Sequence, residues 1–203
     1  MRWATLAHVH LDRVASPWLV RRFVDPAAEF EFVEWGLDGG LPDPARLRVP
    51  EGATPIGIPG VRLGLHDEHG SCFQKVLRAY ELDDPALWRM ERVIAAGISH
   101  ALGTPERPDQ TEEERVLGTT LDLLGTALGV AFDDAEHLEN AMPLYDGVYE
   151  HCRMRELSKD IVAGAPKHPP LRNPYYREAL RRAQSPSTRP PHHDGRAGRG
   201  VAR

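Results

Sequence analysis

The sequence predicts an α/β or α+β fold in which a small sheet in the N-terminal half is covered by about five or six helices. Two observations predict it. Short segments that alternate apolar and polar residues, such as residues 29–35, lie in the first half of the chain and are typical of strands. Beyond residue 71, apolar residues recur three and four positions apart, which predicts amphipathic helices. We therefore expect helix to exceed strand clearly.

The first elements are predicted to be a strand near residues 4–11 and a helix near residues 17–24. The strand follows from alternating apolar and polar positions. The helix start follows from Ser16, a good N-cap, and Pro17, which suits the first helical position. We thus expect a strand that leads directly into a helix N-terminus.

The polar side chains of this strand share one face, because strand side chains repeat every two residues. They are His8, His10 and Asp12. The carboxyl ends of strands and the N-termini of helices are where α/β proteins bind ligands, anions in particular. This junction is therefore the first candidate site.

Three further strands are expected before the helical half. Residues 29–35 alternate and form the second strand. Residues 36–51 are rich in glycine and proline and predict a loop. Residues 54–58 and 61–65 could each form a short strand, separated by the turn signal Pro59-Gly60.

The helices of the second half are predicted from their start signals and apolar stripes. The stripe of the helix after Thr111 includes Leu121 and Leu124, which we expect in the core. The start signals are Ser71, Asp84-Pro85, Thr111, Asp133 or Asp134, and Pro174.

The chain divides into three predicted segments. Residues 1–153 form the main domain and residues 154–184 a helical C-terminal extension. Residues 185–203 are rich in serine, proline, glycine and arginine without periodicity, so we expect a disordered basic tail.

Composition excludes several classes of protein. The net charge of −5 and the lack of a broad basic patch before the tail argue against nucleic-acid binding. No segment approaches the roughly 20 apolar residues of a membrane span, and the N-terminus has no signal-peptide core. With two cysteines, Cys72 and Cys152, a disulfide scaffold is not expected. We expect a cytoplasmic protein, whose oligomeric state the sequence leaves open.

Metal-ligand residue types occur in two places along the chain. Histidine, carboxylate and thiolate together suit zinc or iron, so the sequence predicts a possible divalent metal. The alternative is that residues 66–69 form an exposed acidic loop, since four consecutive polar residues before a helix cap usually face solvent. The predicted ligands are His10, Asp12, His66, His69 and Cys72.

Cys72 and Asp12 are the candidate catalytic residues. If Ser71 caps the next helix, Cys72 lies in its first turn, where the helix dipole lowers a thiol pKa. The alternative is a small buried core residue, as free cysteines commonly are. Cys152 continues an apolar helix stripe and is expected in the core.

Arginines beside the first helix suggest an anion site. Arg13 lies between strand and helix, and the backbone N–H groups after Ser16 would face the same point. Arg21 shares a helix face with Trp18 and could join them. Arg22 is expected instead to form a surface salt bridge with a nearby acid. The predicted ligand is a small tetrahedral anion or an anionic small molecule.

Several motifs together resemble a known family. Residues 12–26 read Asp-Arg-x-Ala-Ser-x-Trp-Leu-x-Arg-Arg-Phe-x-Asp-Pro, and weaker patterns follow in order at residues 53–64, 72–82, 84–87 and 145–149. In this order they resemble the C-terminal domain of ChrB-type chromate-resistance proteins over residues 5–153. The resemblance implies a link to the chromate response.

The chain departs from that family pattern in two places. The segment before Cys72 has a shifted histidine and a longer acidic insert, and residues 95–99 lack the acid that the family usually has. The family's N-terminal regulatory region is also missing, so we do not expect a direct transcriptional role.

The sequence thus predicts a metal- and/or oxyanion-binding protein of the chromate-resistance type, acting in sensing or detoxification. The alternative is a metal-dependent enzyme, redox or hydrolytic, that uses the same His/Asp/Cys pocket on a small anionic substrate. A module that binds a protein partner without a pocket is a third class. No nucleophile elbow, P-loop or HExxH motif occurs, and the sequence leaves open whether the protein is an enzyme.

Overall fold

The fold was obtained as a computed structural model, and the structure describes residues 1–36, 43–164, 174 and 177–182. Three short strands come first and helices dominate the rest. In chain order the elements are β1 (Arg2–Leu6), α1 (Asp12–Leu19) with a π-helical segment (Val20–Val24), β2 (Glu29–Val33), β3 (Thr54–Pro55), α2 (Cys72–Ala79), α3 (Pro85–Leu102), α4 (Glu112–Ala131), α5 (Asp134–Leu157) and α6 (Lys159–Ala163).

The three strands form one parallel sheet in the order β2-β1-β3. The central strand β1 pairs Arg2 with Glu29 and Leu6 with Val33. Because all strands are parallel, their carboxyl ends meet at one edge of the sheet. The turn between β1 and α1 begins at this edge, which we call the carboxyl edge.

The helices pack over the sheet around one main core. Trp3, Trp18, Phe73 and Leu87 are fully buried in it. Helices α3 and α4 approach closely where two glycines face each other. A Cβ on Gly118 would lie 2.5 Å from the backbone nitrogen of the facing glycine of α3, so only glycine permits this contact.

The predicted fold class is confirmed: a small N-terminal sheet is covered by a predominance of helix. The start signals at Ser71, Asp84, Thr111 and Asp133 are all confirmed as N-caps whose side chains accept backbone N–H groups. The helix predicted after Pro174 is described only in part, with residues 177–182 helical.

Other boundaries predicted from the sequence are wrong. The first strand ends at Leu6 rather than at residue 11, and the helix after it begins at Asp12 rather than at residue 17. Residues 61–65 form turns instead of a strand. Leu124 is 37% exposed, whereas Leu121 is buried as predicted.

The segment boundaries predicted at residues 153 and 184 stay predictions. Helix α5 continues through residue 153 to Leu157. The predicted tail, residues 185–203, lies outside the described residues. Within the part of the chain that the structure describes, none of the helices has the length and apolar character needed to cross a membrane.

Candidate functional site at the carboxyl edge of the sheet

The turn between β1 and α1 has an unusual backbone that α5 holds in place. His8 and Leu11 have positive φ angles of 58° and 44°, a region that costs a side-chain-bearing residue about 1–3 kcal/mol. The backbone N–H groups of His8 and Val9 both donate to the Asp134 carboxylate at 2.8 Å. The Tyr145 hydroxyl donates to the Leu11 carbonyl at 3.1 Å. The turn is therefore fixed from outside rather than by its own sequence.

Asp12, the first residue of α1, uses its carboxylate to cap another helix. It is buried and accepts the backbone N–H groups of Cys72 at 2.7 Å and Phe73 at 2.9 Å. The Ser16 hydroxyl donates to it at 3.0 Å. Burial raises the pKa of Asp12, and these three donors oppose the shift. Asp12 thus joins α1 to α2, and its oxygen atoms are engaged in structure rather than open to a substrate.

Cys72 is fully buried, and its thiol donates to the Leu63 carbonyl at 3.2 Å. Burial raises the pKa of Cys72 to about 12, and the adjacent Asp12 carboxylate adds to that shift. The sequence argument for a lowered pKa at a helix N-terminus is wrong here, because desolvation outweighs the helix dipole. The side chain is a thiol at neutral pH, not the predicted thiolate.

Ser16 lies inside α1 and does not cap it, because the helix begins four residues earlier than predicted. Its hydroxyl is buried and bonded to Asp12. The expectation that backbone N–H groups after Ser16 would bind an anion is therefore wrong, since those groups lie within continuous helix.

The other polar residues of the helix have partners on α5 or nearby. Asp146 accepts the Trp18 indole N–H at 2.9 Å and both Nε and Nη2 of Arg22 at 2.8 Å. Arg21 pairs with Glu139 and stacks over Phe30, with 5.3 Å between its Cζ and the ring centroid. Arg22 forms the predicted salt bridge, but with a residue more than 120 positions away.

Arg21 does not join Arg13 as the sequence predicted. It donates to the Ala28 carbonyl at 3.2 Å and lines a cavity of about 300 Å³ beside β2. Its charge is already paired with Glu139.

Arg13 is the exception among these polar residues. Its guanidinium is half-buried and lies over Trp35, with 5.9 Å from Cζ to the ring centroid. Its hydrogen bond to the Ala7 carbonyl is long, at 3.4 Å. Among the described residues, no carboxylate comes within salt-bridge distance of it, 4.0 Å. Burial lowers the pKa of Arg13, and the more distant charges of Asp12 and Asp134 oppose the shift.

The surroundings of Arg13 offer further polar and aromatic groups. Thr5 is fully buried, and its hydroxyl has no hydrogen-bond partner among the residues that the structure describes. A Cβ on Gly57, which has a φ of 59°, would lie 3.1 Å from that hydroxyl and 3.4 Å from the Arg13 Cγ. The exposed His8 ring meets Trp35 edge-on at 6.2 Å between centroids. These residues, with Arg13, make up what we call the Arg13 site.

The structure brings the five predicted metal ligands together only in part: Asp12 accepts the backbone N–H of Cys72 and lies within electrostatic range of His66. His10 bonds instead to Asp122 of α4, with 2.7 Å between Nε2 and Oδ1. His66 and His69 are exposed in a turn, as the acidic-loop alternative expected. Over the described part of the chain, no group of three or more His, Cys, Asp or Glu side chains is arranged to hold a metal ion. The zinc or iron site stays a prediction.

Sequence analysis missed several partners that define the site. From the sequence, Asp134 is only a possible helix start, and Asp146 is only one position of the weak family pattern at residues 145–149. Asp122 also bonds to His100, with 2.7 Å between Oδ2 and Nδ1. The sequence does contain one indication that Asp122 has a specific role: it is the single charged residue between Val116 and Phe132.

Comparison with known proteins places the chain in a family. The family model described as "ChrB, C-terminal domain" matches residues 3–152, and the chain belongs to that family. A protein named ChrB from Cupriavidus metallidurans is 54% identical over 94 residues, which cover 46% of this chain and 26% of that protein. The match thus spans about a quarter of that relative's length. No solved structure matches the chain significantly.

Proposed function

From its place in the ChrB family, we propose that this chain binds a small tetrahedral oxyanion at the carboxyl edge of its sheet, with Arg13 as the anchoring cation. Family membership supports a protein of the chromate-resistance type. The finer proposal is that the Arg13 site recognises chromate or a chemically similar dianion, in sensing or in detoxification. We also propose a cytoplasmic location, where the two free cysteines would stay reduced.

The observation that carries this proposal is that the charge of Arg13 has no anionic partner among the described residues. The polar residues of the same helix motif use their side chains in bonds that hold the fold together, as Asp12, Trp18 and Arg22 do. Arg13 has a long bond to a carbonyl and an aromatic neighbour instead. A half-buried cation without an anionic partner is costly. A bound anion would offset that cost.

The chemistry of the site suits a tetrahedral oxyanion. A guanidinium presents N–H donors in a rigid fork that matches pairs of oxyanion oxygens. The Trp35 ring lies 5.9 Å from the guanidinium carbon, a distance at which a cation–π contact is favourable. The Thr5 hydroxyl and the His8 ring are nearby groups that could donate further hydrogen bonds. The carboxyl ends of parallel strands are also the usual ligand position in open α/β sheets.

Calorimetric titration tests the proposal. Chromate, sulfate and phosphate are titrated separately into the wild type and into Arg13→Gln. We expect at least one oxyanion to bind the wild type and to lose about tenfold or more in affinity in Arg13→Gln, because one charge-assisted contact contributes about 1.5–3 kcal/mol.

Arg46→Gln is the matched control. Arg46 is 84% exposed and pairs only loosely with Asp43, so the substitution makes the same change in net charge away from the site. Its affinity should match that of the wild type. The proposal fails if no oxyanion binds at millimolar concentration, or if Arg13→Gln binds as well as Arg46→Gln.

A further inference from the structure

The outward face of α4 carries large aliphatic side chains that no described residue covers. Val116 is 60% exposed, Leu123 69% and Val130 85%. They are seven residues apart and so lie along one line of the helix. We call these three residues the α4 stripe. The other exposed positions between them are uncharged, and all but Leu124 are small: Thr119, Thr120, Leu124, Thr126, Ala127 and Gly129.

The helix face around the α4 stripe exposes no unpaired charged side chain among the described residues between Val116 and Val130. The one acid in this part of the helix, Asp122, has its carboxylate bonded to His10 and His100. Contiguous apolar surface of this kind on a small protein usually marks an interaction site. The chain as a whole has a net charge of −5, so two copies repel each other over most surfaces. An uncharged face is where that repulsion is weakest.

The arrangement of the stripe is symmetric about its central residue. Val116 and Val130 each lie seven positions from Leu123. The exposed positions three and four residues away are Thr120 and Thr119 on one side and Thr126 and Ala127 on the other. An antiparallel helix pair with a twofold axis at Leu123 would therefore place each valine against the other valine of its partner. Twofold interfaces need this kind of self-complementary surface.

We propose that the α4 stripe is the interface of a homodimer, in which two α4 helices pack antiparallel around a twofold axis at Leu123. The small residues beside Leu123 let the two helices approach, and the Leu123 side chains meet at the axis. A 20-residue helix is about 30 Å long, and an interface formed by one such helix from each copy is small compared with the roughly 1,200–2,000 Å² of a stable interface. We therefore expect micromolar association. This inference is independent of the Arg13 site.

Sedimentation equilibrium on the full chain tests the proposal over about 1–200 μM, a range suited to the weak association expected of a small interface. The average mass of the wild type should rise from the monomer mass of 22.6 kDa towards twice that mass as concentration increases. Leu123→Glu should stay at the monomer mass throughout, since two carboxylates would meet at the axis. Val49→Glu, at a 37% exposed valine outside α4, is the matched control and should dimerise like the wild type. Circular dichroism establishes that both variants are folded.

A charge-swap mixture tests the position of the axis. Leu123→Glu and Leu123→Lys should each be monomeric alone, and an equimolar mixture should dimerise, because residue 123 of one copy faces residue 123 of the other. A wild type that stays at 22.6 kDa at every concentration overturns the proposal and points to another occupant, a further part of this chain or a different protein. A dimer that persists in Leu123→Glu, or a mixture that stays monomeric, also overturns it.

Discussion

The two ends of the helix formed by α1 and the π-helical segment after it differ in how their side chains are bonded. At the C-terminal end, Trp18 and Arg22 share one carboxylate of α5, and each donor–acceptor distance is 2.8–2.9 Å. At the N-terminal end, Arg13 has a 3.4 Å contact to a carbonyl and lies over an indole ring. Both ends lie within the family motif at residues 12–26.

The difference separates structure from function within one motif. Asp12, Ser16, Trp18 and Arg22 are engaged in joining α1 to α2 and α5. Residue types in a motif that would suit catalysis, such as a buried aspartate, can thus be explained by the fold. Arg13 has no such explanation among its described contacts, and for that reason we propose it as the residue that binds the ligand.

The largest loss of stability is expected at Asp12. In Asp12→Ala the N–H groups of Cys72 and Phe73 lose their acceptor inside the core. Leaving buried donors unpaired costs about 1–3 kcal/mol each, so the free energy of unfolding should fall by about 3 kcal/mol in urea titrations. Ser16→Ala removes one donor and should cost about 1 kcal/mol. A fall below about 0.5 kcal/mol in Asp12→Ala would show that it is not structural.

A smaller loss is expected at Asp146. Asp146→Ala removes the shared acceptor of Trp18 and Arg22, whose side chains are largely shielded from solvent. Because the pair is about one-third exposed, we expect a loss of about 2 kcal/mol, below the 3–5 kcal/mol of a fully buried pair. Urea titration at low and high salt measures it. A loss that disappears at high salt would mean that the contact is only a surface salt bridge.

Substitution of Arg13, unlike that of Asp12 or Asp146, should not lower the free energy of unfolding. Arg13→Met keeps an unbranched apolar stem and removes a half-buried charge that has no described anionic partner. In the absence of oxyanions, the free energy of unfolding should rise by up to about 1 kcal/mol, as is common when a functional charge is removed. A loss of more than about 1 kcal/mol would place Arg13 with the structural residues and contradict the comparison.

The thiol of Cys72 should be inert in the folded protein. Its burial and its pKa of about 12 leave little thiolate at pH 8. We expect no reaction with a thiol reagent under native conditions, and reaction of both cysteines in urea. Rapid labelling of the native protein at Cys72, identified by mass spectrometry, would restore the catalytic interpretation.

Local signals predicted much of the fold. Helix N-caps at Ser71, Asp84, Thr111 and Asp133 depend on residues within four positions of each other, so the sequence displays them directly. The early end of β1 could not be predicted in this way. His8 adopts its positive φ where Asp134, 126 residues away, binds its N–H group, and no local pattern carries that information.

Only part of the candidate site could be predicted, because most of its residues contact partners that are distant in the sequence. Arg13 was identified from its place between strand and helix, and the structure leaves it without a described anionic partner. Arg21 and His10 were grouped with it because they are close in sequence, but Glu139 and Asp122 bind them elsewhere. Partners on distant helices decide which charges stay free, and the sequence does not show those partners.

The most direct test of this account is the stabilisation by sulfate of three proteins: the wild type, Arg13→Gln and Arg22→Gln. Both variants lose one positive charge from the same helix motif. A ligand at about 100 times its dissociation constant adds about 2.7 kcal/mol to the stability, which raises the Tm by roughly 5–10 °C for a chain of this size.

Thermal unfolding with and without sulfate gives the result. The account predicts that Arg22→Gln has a lower Tm without sulfate, because the Asp146 contact is lost, but that sulfate raises its Tm as much as in the wild type. Arg13→Gln should keep a Tm close to that of the wild type and gain nothing from sulfate. An undiminished gain in Arg13→Gln, or its loss in Arg22→Gln alone, would contradict the assignment of Arg13 as the oxyanion anchor.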